Sequence, residues 1–147
     1  MSAALSHTPP DTHDILALTL WGEAEGRPVR GMEAIAAVVM TRARLAATRD
    51  GPQHFGHGVA GVCRAPFQFS CWNPHSPRHA AMQGAGVAEH PSFAACRRIA
   101  ARALAGALPD PTRGATHYHA EDTLPRWALG LVPNATLGGL VFYQLHG

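Results

Sequence analysis

Residues 30–46 carry the pattern that most limits what this chain can become. Met32, Ile35, Ala36, Val38, Val39 and Ala43 recur at helical spacing and mark one apolar face. Such a stripe has to be buried against other elements, and Ala34, Ala36 and Ala37 are small enough to let a second helix come close. Arg42 and Arg44 stand near the C-terminal end, where positive charge complements the helix dipole. A helix of this kind needs a core around it. A chain of 147 residues supplies one domain with enough buried surface to fold without a disulfide or a metal. With 46% apolar and only 15% charged residues, it falls with compact globular proteins rather than disordered ones.

The remaining elements follow from punctuation. Pro9-Pro10 separates a flexible tail, residues 1–10, from a single domain over 11–147. Asp11 or Thr12 can cap a helix over 12–23, which Gly22, Gly26 and Pro28 end irregularly. Residues 50–90, rich in Gly, Pro and His, read as loop with one short apolar turn from Val59 to Cys63. So long a loop in a small domain is more often functional than not. Pro91 opens a third helix over 91–106, with Phe93, Cys96, Ile99, Ala100 and Leu104 on one side. Residues 116–119 and 140–143 read as a small antiparallel strand pair.

Charge and cysteine usage exclude several partner classes. All twelve basic residues are arginine, which fits a GC-rich coding sequence, and the net charge is only +2. That excess does not argue for nucleic acid, although it suits an anionic polymer such as a bacterial envelope. Cys63, Cys71 and Cys96 are odd in number and form no CxxC, so a zinc ribbon or redox motif is not expected; one disulfide stays open as an alternative to three buried thiols, which are the preferred reading. No apolar run approaches the ~20 residues of a membrane span, and the opening residues lack the basic start and apolar stretch of a signal peptide. The expectation is synthesis in the cytoplasm, no stable membrane insertion, a monomer, and some other route to any substrate outside.

Three blocks can carry chemistry. The first is Trp21-Gly22-Glu23-Ala24-Glu25-Gly26-Arg27-Pro28, followed by the helix running to Arg42. A carboxyl at a helix end beside Trp and Gly can be half-buried, and desolvation favours its protonated form, the state a general acid needs. Taken alone, such a Glu is more often a solvated surface residue. The second is Pro66-Phe67-Gln68-Phe69-Ser70-Cys71-Trp72-Asn73-Pro74, which alternates aromatic and polar side chains. Aromatics can cover sugar faces while Gln, Ser and Asn bond the hydroxyl edges; equally, Phe67, Phe69 and Trp72 can plug the core. The third is Gly114-Ala115-Thr116-His117-Tyr118-His119-Ala120, with Trp127 downstream. Alternation puts Thr116 and Tyr118 on one face and His117 and His119 on the other. Two such histidines can bind zinc, but no third ligand has convincing spacing, so an ordinary strand and no metal is the expectation.

In this order, the three blocks resemble the cell-wall hydrolase family of the SleB/CwlJ, or spore-cortex-lytic, type. The resemblance runs from about Ile15 to Tyr143. It implies a mostly helical α+β fold, a compact lysozyme-like, lytic-transglycosylase-like domain with a small antiparallel β element near the C-terminus, and no cofactor. The family's catalytic glutamate maps onto Glu23, and its substrate-binding cleft onto Gln68, Phe69, Ser70, Trp72, Thr116, His117 and Tyr118. The substrate implied is the peptidoglycan glycan strand, cut between N-acetylmuramic acid and N-acetylglucosamine in the periplasm or cell wall. Lacking a visible export signal and a separate wall-binding domain, the chain looks like a single-domain phage-type endolysin that waits for a holin.

Hydrolytic glycosidases typically use two carboxylates, and no second one has a strong claim. Glu25 should point away from Glu23 if the helix persists. Glu33 fits a structural role, Asp110 a turn, and Glu121 and Asp122 reach the cleft only with a favourable loop. A lytic transglycosylase, with Glu23 first acid and then base, is therefore expected, with Thr116, Tyr118 or Ser70 orienting the acetamido group. Two alternatives stay open. One is a zinc amidase with His117, His119 and a loop histidine as ligands and Glu23 as base. The other is a non-catalytic peptidoglycan-binding module.

Overall fold

The computed structural model describes residues 11–145 except Glu25, Phe67 and Ala85. The expectations for the tail over 1–10, for Glu25 and for Phe67 therefore lie outside the described residues. Five helices come first: α1 (Thr12–Glu23), α2 (Val29–Ala46), α3 (Gly58–Arg64), α4 (Pro77–Gln83) and α5 (Pro91–Leu104). Three strands follow: β1 (His117–Ala120), β2 (Ala135–Leu137) and β3 (Leu140–Tyr143). The mostly helical class with a small antiparallel sheet is as the sequence predicts.

α1 is the centre of the molecule. Ile15, Leu16, Ala17, Thr19, Leu20, Trp21 and Gly22 are all buried, which leaves it almost no solvent side. A helix apolar all round belongs inside a core. Its main partner is α5, and α2, α3 and α4 also pack against it. α2 turns its predicted face inward, with Met32, Ile35, Val38 and Val39 buried. One cluster of buried side chains runs from α1 and α2 through Val62, Met82, Phe93, Cys96 and Ile99 to Leu140 and Phe142.

Two expectations need correction. The segment over 50–90 is not mainly loop: it holds α3, α4 and single 3-10 turns at Gln53–Phe55, Ser70–Trp72 and Val87–Glu89. These helices are two turns long, too short to show an amphipathic period. Their ends are set locally, as where the Ser76 hydroxyl accepts from the Arg78 N–H with Pro77 in the first helical position. The sheet also has three strands rather than two, in the order β1-β3-β2. The strand missed, Ala135–Leu137, is three residues long. It joins β3 through Gly138-Gly139, both at positive φ (60° and 77°), the conformation a two-residue hairpin demands. Among the described residues β1 pairs only with β3, which places Tyr118 opposite Phe142.

The three cysteines are free, buried thiols. Burial pushes Cys63 up to about 12 and Cys96 up to about 11, so both are held as neutral thiols. Among the described residues no helix is long and apolar enough to cross a membrane.

Candidate active site

Glu23 ends α1 half-buried, and the residue before it explains how its surroundings form. A Cβ on Gly22 would meet the Cys71 Cβ at 2.8 Å and the Met82 Sδ at 2.7 Å. Only glycine lets the 70–72 turn lie this close to the helix. That approach brings the Cys71 backbone N–H to within 3.1 Å of Glu23 Oε2, to which it donates. The other oxygen, Oε1, accepts from the Tyr118 hydroxyl on β1. Burial first, and then the nearby Glu23 carboxylate, raise Tyr118 well above the ordinary tyrosine value. It therefore stays a neutral phenol and a donor.

A buried arginine ties the three sequence blocks together. Arg42 is only 4% exposed. Its Nε donates to the Thr116 carbonyl at 2.8 Å and its Nη1 to Gln68 Oε1 at 3.2 Å. Its guanidinium lies between two aromatic rings, 4.8 Å from the Phe69 centroid and 5.3 Å from that of Phe55. Burial lowers its pKa, while Tyr118 and Glu23 oppose that shift; a guanidinium keeps its proton regardless. One cation thus fixes the second block and the start of β1 against α2, next to Glu23.

These groups border an open cleft of 760 Å³ lined by Glu23, Arg42, Gln68, Phe69, Ser70, Trp72, His117 and Tyr118. It also takes in Arg64, Asn73 and Trp127. Trp72 is anchored by its indole N–H, which donates to Thr19 Oγ1 at 2.8 Å; that hydroxyl in turn donates to the Ile15 carbonyl. Phe69 is both lining and plug, since it is buried beneath Arg42. His117 is half-buried, with Nδ1 2.8 Å from Thr116 Oγ1. Burial, with Arg42 and His54 nearby, drives it down to about 4, so it is neutral at physiological pH.

Thr116 is the one expected cleft residue that does not line the cleft. It is fully buried, and its hydroxyl takes the Leu145 N–H and the His117 ring while its carbonyl takes Arg42. It precedes β1 rather than starting it, so its side chain faces the closing end of the chain.

Glu23 is the only carboxylate on the described cleft wall. Glu33 is engaged by Arg102 at 3.2 Å, and Asp110 accepts from the backbone of Thr112 and Gly114 as a turn residue. Glu121 and Asp122 are exposed outside the cleft. His119 has both ring nitrogens engaged, by the Ala120 carbonyl and the Tyr143 hydroxyl. Among the described residues no three His, Cys, Asp or Glu side chains form a group able to hold a metal ion.

Arg42, Arg64 and Trp127 are absent from the cleft expected from the sequence, although Arg42 ends the first chemistry-bearing block and Trp127 follows the third. Arg42 carried a readable signal: it continues the apolar face three and four residues beyond Val39 and Val38, where a charge has to be buried.

Comparison with known proteins bears on the fold and the family. No curated protein matches the chain. Among solved structures, it is similar to the catalytic domain of the germination-specific lytic transglycosylase SleB from Bacillus anthracis (TM-score 0.64, 20% identity, 95% of this chain and 98% of that one). It is also similar to the catalytic domain of the Bacillus cereus SleB protein (TM-score 0.62, 20% identity, 98% of each chain). A family model described as cell wall hydrolase matches residues 26–143, starting just after Glu23 and taking in the rest of the cleft. The chain belongs to the cell wall hydrolase family of enzymes.

Proposed function

We propose that this chain cleaves the β-1,4 bond between N-acetylmuramic acid and N-acetylglucosamine of peptidoglycan, and does so as a lytic transglycosylase. The observation that carries the reading is a cleft with one carboxyl, Glu23, whose two oxygens are held by different donors. Similarity to a domain described as a lytic transglycosylase supports it.

The protonated Glu23 gives its proton to the glycosidic oxygen as the bond from muramic C1 to that oxygen breaks. Positive charge develops at C1, where the neighbouring acetamido carbonyl stabilises it. The Glu23 carboxylate, held by Tyr118 and the Cys71 N–H, then takes the proton of the muramic C6 hydroxyl. O6 closes on C1 to give the 1,6-anhydro ring, and Glu23 is again protonated, with no water consumed. Preorganised donors of this kind stabilise charge without reorganisation during the reaction. Tyr118 is occupied by Glu23 and Thr116 is inside the fold. Exposed Ser70 and Asn73 therefore remain to orient the acetamido group.

Digestion of purified peptidoglycan, followed by mass analysis, tests this. Anhydromuramic ends are expected; reducing muramic ends would refute the transglycosylase step. Glu23→Gln should abolish cleavage while leaving thermal unfolding within a few degrees of the parent. Retention on wall by the parent chain with no new ends would point to a binding module instead.

A further inference from the structure

The cleft has a neighbour. A second, shallower and more open depression of 540 Å³ shares the wall Arg64-Ala65-Pro66 with it and is otherwise bordered by Asp11, Gln53, His54, Gly56 and Gly61, among others. Its volume lies in the range of small-ligand pockets. Arg64, the last residue of α3, is exposed on the boundary between the two spaces. Its guanidinium sits over the Trp72 ring, 5.5 Å from the centroid. No carboxylate among the described residues pairs with it. A cation held on an aromatic face keeps its N–H fork open to a planar anion.

The chemistry of the substrate supplies such an anion. Muramic acid carries a lactyl ether from which the stem peptide grows, so a bond cut beside muramic acid places the root of that peptide in the cleft. The peptide bears free carboxylates and, where its third residue is a diamino acid, an amino group. The adjoining cavity offers a cation at its entrance, an amide and glycine backbone along its wall, and the carboxylate of Asp11.

We infer that Arg64 and the cavity behind it form a subsite for the peptidoglycan stem peptide, Arg64 taking one of its carboxylates; this rests on the glycan-cleaving reading above. The site therefore recognises peptide-substituted muramic acid, and it prefers such glycan to glycan stripped of peptide.

The full-length chain is titrated with disaccharide-tetrapeptide, with the same muropeptide amidated at its carboxylates, and with the bare disaccharide. The peptide should tighten binding about five- to tenfold, the range of one charge-assisted hydrogen-bonded contact in a partly open site. Amidation should remove that gain. Arg64→Gln should bind all three alike, and Arg64→Lys should regain part of the preference because it keeps the charge but not the fork. Equal binding of the three ligands by the parent chain, or an Arg64→Gln variant that keeps the preference, would overturn the proposal. Binding needs no turnover: a chain that prefers the peptide but leaves the wall uncut refutes the glycan-cleaving reading and keeps this subsite.

Discussion

Arg42→Met is the most informative single change in this structure. Methionine keeps much of the side-chain volume but removes the cation and its donors. Two hydrogen bonds are lost, to the Thr116 carbonyl at 2.8 Å and to Gln68 at 3.2 Å. Gln68 is half-buried and borders the cleft, so water can replace its partner there. The Thr116 carbonyl belongs to a fully buried residue and has no such recourse; an orphaned buried acceptor costs about 1–3 kcal/mol. The stacking on Phe55 and Phe69 contributes about 1 kcal/mol for each ring. Against these stands the desolvation of the guanidinium, which the variant recovers in part. The net loss should be about 2–3 kcal/mol, which for a domain of this size is roughly a 10 °C drop in Tm. Urea unfolding should show a lower midpoint with an unchanged slope, the signature of lost stability rather than altered compactness. Arg42→Lys should recover only a fraction, since ammonium cannot reach both acceptors in the guanidinium geometry. A loss below about 1 kcal/mol for the Met variant would mean that another donor serves Thr116 and that Arg42 is not the brace described.

Other perturbations separate the site's components. Tyr118→Phe removes the hydroxyl donor to Glu23; kcat on glycan strands should fall about ten- to a hundredfold with KM little changed, as expected for a contact to a charged group that acts during reaction. Gly22→Ala drives a methyl into Cys71 and Met82; it should cost about 1–3 kcal/mol of stability by overpacking and lower kcat by shifting the Cys71 N–H, which parallel melting and turnover measurements will reveal. His117 gives a pH signature. The unfolded chain takes its proton near 6.5 and the folded one only near 4, so in that window the unfolded state holds more protons. Stability contributed by neutral His117 is present above pH 6.5, falls as acid is added, and is fully lost below pH 4. Because the ring is partly exposed, about 1–2 kcal/mol is expected after screening. His117→Phe should flatten the Tm profile across this range, and an unchanged profile would refute the assignment.

What the sequence made legible was what repeats. The stripe from Met32 to Val39 disclosed α2, and Pro91 with Phe93, Cys96 and Ile99 disclosed α5, because a long helix repeats its pattern often enough to be seen. α3 and α4 span seven residues each and repeat nothing. β2 lacks a pattern for the same reason, and depends on the Gly138-Gly139 turn and on β3. In the site, Glu23 and the lining residues of the second block stood in contiguous motifs. The contacts that give them roles join residues far apart in the chain: Arg42 with Thr116, Cys71 with Glu23, Trp72 with Thr19. Thr116, expected in the cleft from the resemblance, lies inside the fold instead, its hydroxyl engaged by the Leu145 N–H and the His117 ring.

The sheet order also sets when the Glu23–Tyr118 contact can form. Its middle strand, β3, is the last of the described strands in chain order, and among the described residues β1 pairs with no other strand. Tyr118 reaches Glu23 across 95 residues of chain, so Glu23 acquires its phenol donor only once β3 has docked beside β1. A chain clipped by a protease before residue 140 carries Glu23 but lacks the strand that holds β1 and Tyr118 against it.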